Sequence, residues 1–208
     1  MIPTYRVSHL AAFARWREDE DSDVGWLINQ ILHSEETEAM AKGTAFHKAL
    51  ELSTEGDYDQ ISVDGYTFHF TGTFELYIPP MRECRRGRNY GGIIVSGQCD
   101  AILGNTIYDH KSTERFDAEK YLSGWQYRFY LDIFNAQRFI WNVWEMNEMK
   151  EPKHYNVHSL HRLEQFRYAG MEEECRELAK EFKEFADNWM PPSVPQPETT
   201  IDYEALPF

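Results

Sequence analysis

Residues 97–111 read Gly-Gln-Cys-Asp-Ala-Ile-Leu-Gly-Asn-Thr-Ile-Tyr-Asp-His-Lys. Gly104-Asn105 separates two apolar segments of this stretch, and two such residues between β-type segments are typical of a tight hairpin. If they form the loop, Leu103 pairs with Thr106, and further opposed pairs follow outward along two antiparallel strands. The stretch therefore predicts two neighbouring strands joined by a tight turn.

This hairpin would bring two carboxylates face to face. Asp100 lies opposite Asp109 in the predicted register, with Cβ atoms about 4.5–5.5 Å apart, where like charges repel each other. The neighbouring strand residues are mostly apolar, which raises the cost of burying both charges. Lys111 shares a face with Asp109 because side chains alternate along a strand. A divalent cation held by both carboxylates beside the lysine would remove the repulsion. Alternatively, the aspartates lie in solvent near strand ends and Lys111 forms an ordinary surface ion pair.

Four more polar residues occur on predicted helices. His47 and Glu51 share one face of a helix predicted over residues 35–52, and Gln126 and Tyr130 share one face of a helix predicted over about residues 117–135. His47 is also compatible with an ordinary hydrogen-bonded helix histidine, and the other pair with half-buried polar residues. Taken together with the hairpin, they indicate one common site.

The remaining pattern predicts an α/β domain. Further strands are predicted over residues 66–78, 139–144 and 155–163, beside the hairpin strands 93–103 and 106–112, and an apolar helical stripe runs from 175 to 189. Residues 1–190 are expected to form a single domain, and residues 191–208 a proline-rich acidic tail.

The order of these motifs resembles the RecB-type branch of the PD-(D/E)XK nuclease superfamily. That series has a helix histidine, a strand aspartate, a D-x-K strand and a Q-x-x-x-Y helix, and the resemblance covers roughly residues 8 to 135. The matching segments are Ser8-His-Leu10 with Phe13, Gly43-Thr-Ala-Phe-His47-Lys-Ala-Leu-Glu51, Gly97-Gln-Cys-Asp100, Asp109-His-Lys111 and Gln126-Tyr-Arg-Phe-Tyr130. The resemblance implies a restriction-endonuclease-like core, with a central mixed β-sheet of about five strands flanked by helices.

The resemblance also implies a metal-dependent DNA nuclease. His47, Asp100, Asp109 and the backbone carbonyl of His110 would hold Mg²⁺ or Mn²⁺, and Lys111 would orient or deprotonate the attacking water. Oxygen-rich ligands with one imidazole suit these ions. Two further roles are implied outside this set: Gln126 and Tyr130 would steer the DNA strand or support the lysine, and Glu51 is either an outer-shell ligand or a solvated helix acid.

The net charge is unfavourable for a surface that attracts nucleic acid everywhere. The chain has 21 basic and 35 acidic residues, a net charge of −14. We expect positive charge to be gathered locally by an arginine-rich loop that includes Arg85 and Arg86, although a solvated loop is an alternative. Otherwise a single-strand-annealing or other recombination protein would deliver the DNA, or a homo-oligomer would enclose it.

Several classes of protein are excluded by simple counts. The three cysteines form no Cys-x-x-Cys pair, so we expect neither a disulfide framework nor an iron–sulfur cluster. The chain has no phosphate-cradling G-x-x-x-x-G-K-[ST] loop, so we expect no ATP, and no apolar run long enough for a membrane span. The first residues contain no secretion signal, which favours the cytoplasm of a bacterium or a phage-infected host.

The sequence thus predicts a DNA exonuclease that serves phage or bacterial recombination or end processing. Two alternatives stay open: a structure-specific or single-strand DNA endonuclease, and a non-cleaving, acidic nuclease-like module that binds another protein.

Overall fold

The structure is a computed structural model that describes residues 2–19, 21, 23–33, 37–52, 59–72, 74 and 81–190. The predicted tail, residues 191–208, lies outside these ranges. The elements in chain order are β1 (Thr4–Arg6), α1 (Val7–Glu18), α2 (Val24–Leu32), α3 (Glu38–Leu52), β2 (Gln60–Val63), β3 (Tyr66–Phe70), β4 (Met81–Asn89), β5 (Ile94–Leu103), β6 (Thr106–Thr113), α4 (Ala118–Leu122), α5 (Gln126–Ile133), β7 (Arg138–Glu148), β8 (His154–Phe166) and α6 (Met171–Trp189).

The strands form one mixed sheet. From β5 outward, the strand order is β6, β7, β8, β3 and β2. Strands β1 and β4 also pair with β5. The pairs β1–β5, β6–β7 and β3–β8 are parallel and the others antiparallel. The predicted fold class, a mixed sheet flanked by helices, is confirmed. The described residues contain eight strands rather than about five, because β1, β2 and β4 lack the apolar pattern by which a strand is found in sequence.

The hairpin register is confirmed from Leu103 opposite Thr106 to Ala101 opposite Tyr108. The predicted pair of Asp100 and Asp109 is not part of this ladder, because pairing of the two strands stops before it. Gly104 has a φ of 53°, a left-handed conformation that glycine adopts without steric cost. The turn therefore fixes the relative position of the two strands that carry Asp100 and Asp109.

Two apolar cores lie on opposite faces of the sheet. Strand β7 shows this by alternation, because Trp141 and Val143 belong to one core and Trp144 and Met146 to the other. The first core packs beneath α1, α2, α5 and α6, and the second beneath α3. Helices α3 and α5 thus approach the sheet from opposite sides.

Two predicted elements are wrong in detail. The helix predicted over residues 117–135 is divided into α4 and α5, since Gly124 disfavours the helical conformation and the N–H and hydroxyl of Ser123 both bond the carbonyl of Glu119 at the end of α4. The predicted strand 66–78 ends at Phe70, and residues 73 and 75–78 lie outside the described ranges.

The arginine-rich segment is also not the predicted loop. It forms β4, which pairs with β5 from Met81 opposite Ile102 to Asn89 opposite Ile94. Sequence reasoning missed this strand because four arginines and a glutamate hide the alternation that marks a half-buried strand.

Among the described residues, no helix is both long and apolar enough to cross a membrane.

We predict that Phe46→Ala lowers the free energy of unfolding by about 3–5 kcal/mol, because the substitution leaves a cavity in the core beneath α3. Phe46 is 0% exposed, whereas Met40 on the same helix is 49% exposed. Met40→Ala is therefore the matched control, with an expected change within about 0.5 kcal/mol. Urea denaturation measures both, and equal effects of the two substitutions would contradict the packing described here.

Candidate metal centre at the β5–β6 junction

The candidate site lies where the neighbouring strands β5 and β6 stop pairing. β4 occupies one edge of β5 along nearly its whole length, so the strands on the other edge are β1, beside Ile94–Ser96, and β6, beside Ala101–Leu103. In the described pairing, residues 97–100 therefore face no strand on this second edge. Their backbone groups must find other partners.

Side chains supply those partners. The hydroxyl of Tyr130 on α5 donates a hydrogen bond of 2.8 Å to the carbonyl oxygen of Gln98. Gly97 allows this approach, because a Cβ at that position would lie 3.3 Å from the ring of Tyr130 and 3.2 Å from Val7. On the other strand, the N–H of His110 donates to Oδ2 of Asp100 at 2.5 Å. The Asp100 carboxylate thus bonds directly to the strand that carries Asp109.

His47 reaches the junction from α3. Its Nε2 donates to the carbonyl oxygen of His110 at 2.8 Å, and its Nδ1 lies 3.5 Å from Oδ1 of Asp100. The structure therefore brings together the imidazole, one carboxylate and the backbone carbonyl that the motif series implies as ligands. They belong to three different elements, α3, β5 and β6.

Asp109 is held by two neighbours. Its Oδ2 lies 2.6 Å from Nζ of Lys111, and its Oδ1 accepts a hydrogen bond of 3.2 Å from Nε2 of Gln126. The side chain of Asp109 is buried, with the residue 1% exposed, so an unpaired charge there would be costly. Lys111 offsets that charge, and Gln126 satisfies the second oxygen.

The charges of the site shift two pKa values in ways that fit a cation. Burial and, after it, the charge of Asp109 raise the pKa of Asp100 to about 6, against the opposing effects of His47, Lys111 and the N–H of His110. Burial opposes the charge on Lys111, but Asp109 and Asp100 outweigh it and raise the pKa of the lysine. The two carboxylates therefore repel each other although a lysine lies beside them.

The side chain of His110 points toward Trp144, in the core beneath α3, and its imidazole stays neutral. The indole N–H of Trp144 donates to its Nδ1 at 3.3 Å. Burial lowers the pKa of this imidazole to about 3, with smaller contributions in the same direction from His47 and Lys111. Only the backbone carbonyl of His110 belongs to the candidate site.

The donor set suits a hard divalent cation. Carboxylate and carbonyl oxygens with one imidazole are ligands that Mg²⁺ and Mn²⁺ accept, and a cation would relieve the repulsion between the carboxylates. In the described part of the chain, no three side chains of His, Cys, Asp and Glu already form a metal-binding cluster. The reason is visible: Asp109 is engaged by Lys111 and Gln126, and the third group near His47 and Asp100 is a backbone carbonyl.

Three predicted residues make other contacts. Glu51 is exposed, and its backbone carbonyl accepts a hydrogen bond from Arg82. Arg85 donates to Oε1 of Gln98 from Nε at 3.1 Å and from Nη2 at 2.7 Å. Arg86 donates from Nη1 to the carbonyl oxygen of Phe134 at 3.4 Å. Both arginines lie on β4, beside the strand that carries Asp100.

Sequence reasoning missed a buried acid that holds α5 in place. Asp132 accepts hydrogen bonds from Arg88 at 2.7 Å, Tyr90 at 2.5 Å and Arg167 at 3.1 Å. Its side chain is fully buried, so these donors compensate a charge that would otherwise be very costly. An acid inside an apolar helical stripe was the available signal. The contact also engages Arg88, one of the four arginines of β4, in the interior of the protein.

Comparisons with known proteins find distant structural similarities. The chain matches no protein-family model, and no curated protein matches its sequence. Among solved structures, it is similar to SSO0001 (16% identity, TM-score 0.49, 89% of this chain and 77% of that one). It is also similar to a phage-related exonuclease from Haemophilus somnus 129PT (11% identity, TM-score 0.46, 87% and 79%) and to LHK-Exo in complex with dAMP (12% identity, TM-score 0.41, 89% and 93%).

We predict a pH dependence of stability that belongs to Asp100. Folding raises its pKa from 3.8 to about 6, so the folded protein holds this proton more tightly than the unfolded chain does. In EDTA, the stability contributed by the neutral carboxyl is present below pH 3.8 and is lost as the pH rises through about 6. Asp100→Asn lacks this loss, so its stability relative to the unmodified protein should increase by about 2 kcal/mol between about pH 4 and pH 7.

Urea denaturation across this pH range measures the difference. Asp64→Asn removes an exposed carboxylate that pairs with Lys48 and is the control. A stability difference between Asp100→Asn and the unmodified protein that does not change with pH would refute the shifted pKa.

Proposed function

We propose that this protein is a metal-dependent deoxyribonuclease that hydrolyses phosphodiester bonds from DNA ends. The observation that carries the proposal is the convergence of His47, Asp100, the carbonyl of His110 and the Asp109–Lys111 pair at one break in strand pairing. Folding alone gives no reason to bury two repelling carboxylates beside a lysine, whereas phosphodiester hydrolysis uses such a group.

The residues of the site would have separate roles in phosphodiester hydrolysis. A divalent cation, when bound by His47, Asp100, Asp109 and the carbonyl of His110, supplies a nucleophilic hydroxide near neutral pH and offsets charge on the phosphoryl oxygens. Lys111, whose Nζ lies 2.6 Å from Oδ2 of Asp109, would orient or deprotonate the attacking water beside the cation.

Gln126 and Tyr130 would act by positioning the site. Gln126 holds Oδ1 of Asp109, which leaves Oδ2 directed to Lys111. Tyr130 holds the backbone of β5 at Gln98, two residues before Asp100. Both side chains project from α5, so the helix sets the distance between the two carboxylate-bearing strands.

Binding of DNA to an acidic chain requires local positive charge or a partner. Arg85 and Arg86 lie on the strand next to Asp100, and we assign both to contacts with DNA phosphates, on opposite faces of β4 because consecutive strand side chains alternate. A recombination protein that presents DNA ends, or a ring formed by several copies of this chain, would supply the rest of the attraction.

The proposal is tested with end-labelled linear duplex DNA and closed circular DNA in Mg²⁺, Mn²⁺ or EDTA. We expect loss of the linear form alone, only with metal, and a fall in rate of at least about 100-fold for Lys111→Ala. Lys48→Ala is the matched control, because Lys48 follows His47 on α3 but pairs with Asp64 on the surface. Cutting of circular DNA would indicate an endonuclease. Intact DNA under all conditions would contradict the proposal and favour the alternative, a non-cleaving module that binds another protein.

A second test does not need a substrate. We predict that Mn²⁺ raises the melting temperature, because a ligand that binds only the folded state stabilises it. The rise should be larger at about pH 8 than at about pH 5, since metal binding requires the ionised carboxylate of Asp100, whose pKa is raised to about 6. Differential scanning fluorimetry of the unmodified protein and Asp109→Asn measures it. An equal rise in both proteins would remove Asp109 from the ligands.

A further inference from the structure

A second polar site lies on the half of the sheet formed by β7, β8, β3 and β2. The strand registers place four polar residues in one row across these strands, namely Gln60, His69, Asn156 and Asn147. The intervening residues of the same strands, such as Phe68 and Val157, point to the core beneath α3. The polar row borders a cavity of about 980 Å³, which is also lined by His154 and Glu151.

Two histidines meet in this cavity. Nε2 of His69 lies 3.2 Å from Nδ1 of His154, and the rings are stacked with centroids 5.5 Å apart. The other nitrogen of His154, Nε2, lies 3.5 Å from Oε1 of Glu151. A carboxylate attracts an N–H group, so Glu151 favours the tautomer of His154 that carries its proton on Nε2. The lone pair on Nδ1 then points to His69.

These two nitrogens are within hydrogen-bond distance of each other, and their separation also fits a shared metal ion. Two imidazole nitrogens bound to one tetrahedral Zn²⁺ at about 2.0–2.1 Å are about 3.3–3.4 Å apart. Histidine ligands of zinc almost always direct their second N–H to a carboxylate or a carbonyl, and the carboxylate of Glu151 lies 3.5 Å from the second nitrogen of His154. The pair thus has the separation of a zinc site, with a carboxylate beside His154.

We propose that His69 Nε2 and His154 Nδ1 bind a divalent transition metal ion of the zinc type, with Glu151 as the residue that orients His154. Two protein ligands leave the other coordination positions to water. The ion links β3 to β8 and to the turn before β8, where Glu151 lies.

This site differs in chemistry from the candidate centre at the β5–β6 junction. A pair of imidazole nitrogens favours Zn²⁺, Ni²⁺ and Cu²⁺, whereas Mg²⁺ prefers a donor set made mostly of oxygen atoms, such as the one at the junction. Excess Mg²⁺ competes with Zn²⁺ at the junction and not at the histidine pair, and variants of His69 and His154 distinguish the two sites if zinc also binds at the junction. Zinc binding under this condition is independent of DNA cleavage, so the two proposals succeed or fail separately.

The test is calorimetric titration of the full chain with Zn²⁺ in excess Mg²⁺. We expect one equivalent of Zn²⁺ that His69→Gln and His154→Gln both lose, and about tenfold weaker binding for Glu151→Gln. His158→Gln is the matched control and should bind like the unmodified protein, because His158 lies on neighbouring sheet surface but bonds to Asn147 and Ser159.

Melting curves in EDTA show whether each variant is folded. If a histidine variant does not fold, Glu151→Gln still tests the proposal, because the side chain of Glu151 is exposed, with 72% of it accessible. Nitrogen-detected NMR of the imidazoles should show Zn²⁺ shifting the signals of His69 and His154. Equal zinc binding by the unmodified protein, His69→Gln and Glu151→Gln would overturn the proposal.

Discussion

The candidate site depends on the place where β5 and β6 separate. Beyond Ala101 and Tyr108 the ladder stops, and the carboxylate of Asp100 takes the N–H of His110. This single hydrogen bond replaces a strand-to-strand contact with a contact between a strand and an ionisable side chain. It also exposes the carbonyl of His110 to His47. Without the separation, an intact ladder would use these backbone groups and leave no room for a cation.

Local sequence patterns predicted the part of the structure that contains the site. The hairpin register follows from Gly104-Asn105, and the alternation along β6 places Lys111 beside Asp109. The convergence of His47 with this hairpin was not a local property. It was inferred from motif order, since the partners of His47 are 63 and 53 residues away in the chain.

Other features could not be predicted because their cause lies in distant residues. β4 is a strand because β5 offers it a complete edge, and its arginines conceal that role in the sequence. Asp132 is buried because Arg88 and Arg167 come to it from 44 and 35 residues away. The division between α4 and α5 reflects competition between the weak helix propensity of Gly124 and the apolar pattern that continues across it.

The way in which Tyr130 and Asp100 cover the open edge of β5 also bears on the solubility of this protein. Unpaired strand edges are the usual templates for aggregation, because a strand of another molecule can add to them. Here the carbonyl of Gln98 already accepts from Tyr130, and the carboxylate of Asp100 already joins β5 to β6. Tyr130 and Asp100 therefore leave these backbone groups of β5 unavailable for pairing with a strand of another molecule.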